Sequence, residues 1–421
     1  MDSELDSVLH KIRKFPLEVL KSTYQTTIPT DLAMSTSFWE SYTQEKLAIG
    51  LRACLAIWAA SQNKIVPNEF QLKATIAIMS GQDALIDVGT GYGKTLCMIA
   101  PSLLDSPGSI SIVISPLKRL QAVQVLEFER YGIRTASINE DTPNDPKLWK
   151  VCQSSSAFRL ELYIQHTVAQ NVSEGKFSVL IVQPEQLSML AGHLPRLAQL
   201  IEKDQLFRKR ILRVHVDEAH FIFLAGLELY GLPAFRPAWG KLGEFRVKLR
   251  KGVVFQALSG TQPKHIKKII VEKLLFKEEK FCSIKLSSNR PNIIYATHPI
   301  VGDRSDFRNL DFLIPDPYPA NLQLPKTLVF HDNVDECTSA AAYVNDRLPK
   351  ILSGKGIVKH YHGGMSKDYL TFVYEDFSKP DGSCRILHAT EGASTVRCVF
   401  LFFSTFLIVI YRDSTYQILK Q

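Results

Sequence analysis

An apolar stretch, Ala84-Leu85-Ile86, leads into Val88-Gly89-Thr90-Gly91-Tyr92-Gly93-Lys94-Thr95, and this order constrains the chain more than any other feature. It predicts a buried strand, a tight loop and a helix start. Glycines at 89, 91 and 93 let backbone N–H groups turn inward around phosphate oxygens. Lys94 supplies a point charge for the β- and γ-phosphates, and the Thr95 hydroxyl at the helix N-terminus is suited to ligate Mg²⁺. Residues Gly89, Thr90, Gly91, Tyr92, Gly93, Lys94 and Thr95 are therefore candidates for holding a nucleotide. The strict phosphate-loop pattern has glycine where Val88 stands, and the competing reading is an accidental glycine-rich turn.

The 421 residues suit two or three domains, and 45% hydrophobic with 22% charged residues is an ordinary globular balance. Such a composition excludes a disordered chain. Fifty basic against 42 acidic side chains give a net charge of +8, compatible with a polyanionic partner but too mild to establish one. The seven cysteines are scattered without a Cys-x-x-Cys pair, so neither a zinc site nor a disulfide framework is supported and a reducing compartment follows. The start, Met-Asp-Ser-Glu-Leu-Asp, is acidic and lacks a long apolar core, which argues against a secretory or transit peptide and for an intracellular protein.

Apolar residues recur at helical spacing through Leu5, Leu9 and Ile12 and again through Leu47, Leu51, Leu55 and Trp58, so residues 1–65 read as a helical N-terminal extension. Its basic cluster, His10, Lys11, Arg13 and Lys14, is read as a solvated helix face. From 66 to 285 short apolar runs alternate with helical stretches: 84–88, 111–115, 179–182, 212–216 and 253–258. That alternation predicts an α/β domain with a parallel sheet covered by helices. A Pro- and Asp-rich stretch within 286–325 reads as a linker. A second, partial α/β domain over 326–397 is expected from strands at 327–331, 358–361 and 385–389, followed by an apolar tail, 398–421.

The strand 212–216 delivers Asp217-Glu218-Ala219-His220, and the C-terminal end of a strand is where an open α/β sheet places its ligand chemistry. Asp217 is expected to complete the Mg²⁺ site with Thr95, and Glu218 to orient or deprotonate the attacking water, which with Lys94 makes the catalytic set. A charged turn is the plain alternative. Gln71 precedes the phosphate strand on a helix, and its amide offers a donor and an acceptor suited to an adenine edge. Ser259-Gly260-Thr261 ends another apolar strand, and its hydroxyls are expected beside Asp217. Ser115-Pro116-Leu117-Lys118 and Gln183-Pro184-Glu185 end further runs on the same sheet edge, where a phosphodiester backbone can lie. Each of these is, alone, also compatible with an ordinary loop.

Gln71, Gly-Tyr-Gly-Lys-Thr, Ser-Pro-Leu, Gln-Pro-Glu, Asp-Glu-Ala-His and Ser-Gly-Thr, in this order, resemble a superfamily-two helicase. The flanking residues look most like the RecQ family: Ile78 to Asp83, Leu96-Cys97, Phe235-Arg236-Pro237 with Trp239, 289–292 (Asn-Arg-Pro-Asn), Tyr361 to Met365, and 385–395 around Ala389-Thr390. The likeness spans about residues 66 to 396. It implies two RecA-like domains with ATP clamped between them, ATP and Mg²⁺ as cofactors, 3′-to-5′ translocation on single-stranded or partly duplex DNA, and a nuclear protein with no membrane association. It also implies coupling roles for His220, Ser259 and Thr261, and nucleic-acid contacts from Ser115, Lys118, Gln183, Arg236, Trp239, His362 and Thr390.

The sequence departs from that pattern in places. The aromatic-rich loop that follows the acidic box in the family is replaced by Phe221-Ile222-Phe223-Leu224-Ala225-Gly226 and several extra residues before Phe235. After the motif V stretch no counterpart of the arginine-bearing motif VI follows, nor do zinc-binding or winged-helix regions, so the second domain reads as truncated, with ATP binding and weak or no unwinding expected. Residues 399–411 admit three readings: a strand pair completing the second sheet, a marginal tail anchor, or a foreign end produced by a mis-spliced gene, the last being preferred. Two other functional classes stay open: a non-catalytic nucleic-acid-binding scaffold and a DEAH-type RNA helicase.

Overall fold

The computed structural model describes residues 2–142, 176–189, 192–278, 280–287, 294–319, 322–390, 406–412 and 415–420. The chain divides into two compact units, Met1–Ser288 and Asn289–Gln421.

The first unit opens with helices α1 (Asp2–Lys14), α2 (Leu17–Thr27), α3 (Thr36–Glu40) and α4 (Gln44–Ala60). Pro16 separates the first two, while Ser35 and Thr43 cap α3 and α4 by accepting from Phe38 and Lys46 N–H groups. Ala53, Cys54 and Ile57 of α4 are fully buried, because α4 lies under α1 and α2 and also packs on α6 (Leu96–Leu104), the helix after the glycine loop. The N-terminal helices thus belong to the body of the first unit. Within the basic cluster Arg13 is half-buried: its Nε and Nη2 donate to the Leu103 carbonyl at 3.1 and 2.9 Å, closing the C-terminal turn of α6.

Seven strands follow: β1 (Ala84–Asp87), β2 (Ile110–Ile114), β3 (Thr135–Ile138), β4 (Val179–Val182), β5 (Ile211–Val216), β6 (Val254–Ser259) and β7 (Cys282–Lys285). They form one sheet in the order β3-β4-β2-β5-β6-β1-β7, parallel throughout. Their apolar runs are continuous because helices bury both faces. Leu85, Ile112, Val214 and Phe255 point into one core, while Ile86, Val113, Ile181 and Leu258 point into the other. The order places β1, β6 and β5 side by side with β2 next, so the loops after them share one sheet edge. Helices α5 (Glu69–Met79) and α7 (Lys118–Arg130) precede β1 and follow β2.

The second unit holds β8 (Ile294–Pro299), β9 (Lys326–His331), β10 (Val358–Tyr361), β11 (Ile386–Thr390), β12 (Phe406–Arg412) and β13 (Thr415–Lys420) in the order β10-β11-β9-β12-β13-β8. The four strands from β10 to β12 are parallel, and β13 runs antiparallel to both its neighbours. Two positional expectations need correction. The stretch read as a linker contributes β8 and places Leu310, Leu313, Ile314 and Leu324 in the core of the second unit, since its prolines punctuate short turns around buried leucines. Within the apolar tail, Phe406–Arg412 lies inside the sheet as β12, between β9 and β13, where an apolar run fits. Of the three readings of 399–411, the strand pair is the one seen over residues 406–412 and 415–420. No helix among the described residues is long and apolar enough to cross a membrane.

Candidate functional site

The glycine loop after β1 is held from below by Gln71. Asn68 and Gln71 form a reciprocal capping box at the start of α5, in which Gln71 Oε1 accepts the Asn68 N–H at 2.8 Å. The same amide donates from Nε2 to the Gly93 carbonyl at 2.8 Å and to that of Tyr92 at 3.4 Å. Gln71 is only 6% exposed, and its amide faces the loop backbone instead of the adenine edge expected from sequence. The close contact also explains Gly93: its φ is +76°, and a Cβ there would sit 2.9 Å from Gln71 Nε2. Lys94 reaches back across the loop, its Nζ donating to the carbonyls of Val88 and Gly89 at 3.0 and 3.1 Å. Thr95 follows as the cap residue of α6, so the loop ends on a helix N-terminus.

Asp217 leaves the end of β5 with its backbone N–H on the Ile114 carbonyl at 2.9 Å, and Ala219 N–H bonds the Leu258 carbonyl at 2.9 Å, which pins the acidic tetrapeptide between β2 and β6. The Asp217 carboxylate is buried. Its Oδ1 accepts the Glu218 N–H at 3.0 Å and its Oδ2 the Gln124 side-chain amide at 2.7 Å. Burial, with the negative charge of Glu218 next to it, pushes the Asp217 carboxyl well above the usual carboxylate range, and the charge of Lys94 opposes that shift. Two side chains remote in sequence thus share one electrostatic neighbourhood. Glu218 itself adopts a left-handed backbone, φ +49°, an uncommon conformation for a residue with a side chain.

His220 connects the acidic box to β6. Its Nδ1 lies 2.8 Å from the Ser259 hydroxyl and 3.2 Å from Glu218 Oε2. Ser259 is fully buried, and its Oγ also accepts the Thr261 N–H at 3.1 Å, whereas the Thr261 side chain is exposed. Ser259, the backbone of Thr261, His220 and Glu218 therefore form one connected group beside Asp217, in which the Thr261 hydroxyl has no observed part.

The expected nucleic-acid contacts divide. Ser115 and Gln183 lie buried at the same sheet edge. Arg236 joins their loops: its Nε and Nη2 donate to Glu185 Oε1 and Oε2 at 2.8 and 2.7 Å, and its Nη1 to the Pro116 carbonyl at 2.6 Å. The guanidinium expected to meet DNA is thus engaged within the protein. Trp239 is corrected more strongly, since it is fully buried in the core and stacked on Phe221 at 5.7 Å between ring centroids, which leaves no face for a base. Lys118 is partly exposed and paired with Glu140 and Asp141. In the second unit His362 is buried, its Nε2 3.3 Å from the Thr338 hydroxyl, and Thr390 ends β11 opposite His331. The segments 289–292 and 391–396 lie outside the described residues. Where an aromatic-rich loop was absent from the sequence, Phe221–Leu224 form a short helix, and Leu229 pairs with Leu232 across a turn tipped by Tyr230, 99% exposed.

Sequence reasoning missed Gln124 and Glu127, both on α7. A run of polar residues at helical spacing, Gln121, Gln124 and Glu127, was the available signal. The donor set fits a hydrated divalent cation with a triphosphate: one hydroxyl, one carboxylate, and a buried Gln124 Oε1 without a protein partner, next to a lysine and a glycine cradle. Among the described residues no group of three or more His, Cys, Asp or Glu side chains forms a metal cage. A hard cation that keeps several waters and borrows phosphate oxygens needs none.

A glycine loop, an acidic box and a serine–threonine strand end thus lie on one edge of a parallel sheet. The chain matches the family described as DEAD/DEAH box helicase over residues 68–269. Its relatives include RecQ-type helicases. It is 30% identical over 231 residues to the ATP-dependent DNA helicase hus2/rqh1 of Schizosaccharomyces pombe, covering 54% of this chain and 15% of that protein. It is 26% identical to the RecQ-like DNA helicase BLM of Xenopus laevis, over 76% of this chain and 20% of that protein. With the ATP-dependent DNA helicase RecQ of Haemophilus influenzae it shares 26% identity over 72% of this chain and 40% of that protein. The chain thus spans well under two thirds of the length of these relatives. The crystal structure of the DUF1998 helicase MrfA bound to DNA matches in fold with a TM-score of 0.56 at 15% identity, over 85% of this chain and 47% of that one.

Proposed function

We propose that the chain is an ATP-dependent DNA motor of RecQ type, binding Mg²⁺-ATP at residues 89–95 and coupling hydrolysis to 3′-to-5′ movement along single-stranded DNA in the nucleus. The observation that carries this reading is the strand order β5-β6-β1, which brings the glycine loop and the acidic box to one sheet edge, with Glu218, His220 and Ser259 linked beside Asp217. In it, the loop N–H groups and Lys94 hold the phosphates. Thr95 and Asp217 would hold Mg²⁺, which would supply positive charge against the phosphates. Glu218, kept in place by its contact with His220, orients the attacking water and accepts its proton at a carboxylate oxygen. The Ser259–His220 bond gives a path from the β6 end to Glu218, through which the state of the γ-phosphate is sensed.

Steady-state ATPase with and without single-stranded DNA tests the proposal. DNA-stimulated turnover abolished by Lys94→Ala supports a motor, while nucleotide binding with undetectable turnover points to a non-catalytic scaffold. Preferential stimulation and unwinding with RNA over DNA would move the reading to a DEAH-type RNA helicase.

A further inference from the structure

Both side chains assigned to the metal have a polar neighbour on one helix. Gln124 and Glu127 lie three residues apart on α7, a spacing that puts them on one helical face. The Gln124 amide donates to Asp217 Oδ2 at 2.7 Å, across the sheet from its own strand. The Glu127 carboxyl is raised by burial, and the nearby Thr95 hydroxyl favours its charged form. Gln124 is 3% exposed and Phe128, one turn on, is fully buried, so the helix is fixed against the sheet, with Glu127 half-buried beside them. Gln121, one turn earlier, anchors the same face: its Nε2 donates to the Ser115 carbonyl at 3.3 Å and its Oε1 accepts the Asn139 amide at 3.1 Å.

We propose that α7 sets the geometry of the divalent-cation site, Gln124 by fixing the Asp217 carboxylate and Glu127 by accepting the Thr95 hydroxyl proton. Resting on the Mg²⁺-nucleotide reading, it names two positioning residues for that site. A threonine hydroxyl has one proton and two lone pairs. With the proton committed to Glu127, a lone pair stays free for the cation and gains basicity from the acceptor behind it, as outer-sphere carboxylates do for other metal-bound donors. A carboxylate is free to rotate, and the Gln124 bond to Oδ2 together with the Glu218 N–H bond to Oδ1 removes that freedom. The unpartnered Gln124 Oε1 remains an acceptor for a cation-bound water.

The test is binding of a fluorescent N-methylanthraniloyl ATP analogue to the full chain, in EDTA and in Mg²⁺, with Mn²⁺ electron paramagnetic resonance on the same samples. The expected result is that Gln124→Ala and Glu127→Leu each reduce the enhancement of binding by Mg²⁺ by about tenfold, the size usual for loss of an outer-shell partner, and alter the Mn²⁺ spectrum, with affinity in EDTA unchanged. Glu127→Gln keeps an acceptor oxygen and retains the enhancement within about threefold. Leucine suits the packing beside Phe128 at least as well as glutamate does, so recovery by glutamine and not by leucine reports the polar contact. Should Gln124→Ala fail to fold, Gln124→Asn withdraws the donor by one methylene and carries the same expectation. Wild-type enhancement in both Gln124→Ala and Glu127→Leu overturns the inference while leaving the nucleotide site standing. Absence of analogue binding by the unaltered chain, where Lys94→Ala is the blank, overturns the site and this inference together.

Discussion

Arg236 closes on Glu185 through two parallel hydrogen bonds, 2.8 and 2.7 Å, and with its remaining nitrogen takes the Pro116 carbonyl at 2.6 Å. Three loops that follow different strands are therefore locked by one guanidinium. Its planar fork is what the geometry demands, and an ammonium cannot replace it.

Arg236→Lys is accordingly expected to lower unfolding free energy by about 1–3 kcal/mol, since Glu185 keeps at most one bond and the Pro116 carbonyl loses its donor. A double-mutant cycle with Glu185→Gln, followed by chemical denaturation, checks this. Additive effects of the two substitutions would mean that the pair is not coupled.

Trp239→Ala is expected to destabilise the first unit by about 3–5 kcal/mol through the cavity left in a fully buried position. Nucleic-acid affinity per folded molecule should stay as in the unaltered chain. A large loss of affinity in samples still folded by circular dichroism would return Trp239 to the interface.

Gln71→Ala removes the donor that ties α5 to the Gly93 carbonyl and leaves the glycine loop less restrained. Nucleotide affinity is expected to fall by about fivefold to tenfold, the equivalent of a hydrogen bond of about 1 kcal/mol. Equilibrium titration measures it, and unchanged affinity would show that the loop holds its shape without α5.

Ser259→Ala breaks the 2.8 Å contact with His220 Nδ1 while sparing the phosphate loop. Under the proposed function, DNA-stimulated kcat is expected to drop about tenfold, the equivalent of about 1.4 kcal/mol of barrier, with nucleotide binding within about twofold. Equal losses in stimulated and unstimulated turnover would argue against a coupling role for this serine.

His215 is fully buried with Nδ1 2.8 Å from Gln256 Oε1, and burial, reinforced by Arg213, lowers its imidazole to about 3. In the second unit burial, with His331 and His360, lowers His388 well below its ordinary value. Above pH 6.5 both rings are neutral folded and unfolded, so neither contributes pH dependence. Below it the unfolded chain takes up protons that the native core refuses, and stability falls with pH, by about 1.4 kcal/mol per pH unit for His215. Denaturant melts between pH 7 and 5 should show this slope, while the His215 ring resonances stay constant. A His215 titration midpoint near 6.5 would contradict it.

The strand ends were legible because each combines an apolar β-branched run with a change to polar residues, as at Val214-His215-Val216 before Asp217. Strands β3 and β7 were not, since Thr135–Ile138 and Cys282–Lys285 are short and mixed, and their pairing with longer neighbours, more than their own propensity, makes them strands. The tail 406–420 was not legible as a sheet element for the opposite reason: its apolar character is strong, but only the ladder with β9 makes Phe406–Arg412 a central strand.

The sequence by itself determined the glycine loop and the acidic box, because Gly89 to Thr95 are contiguous and Asp217 to His220 follow one strand. Tertiary structure alone decided which way the surrounding side chains face. Gln71 turns to a loop carbonyl, Arg236 to Glu185, Trp239 to the core and Gln124 to Asp217, since each orientation depends on a partner far along the chain whose distance no local pattern encodes.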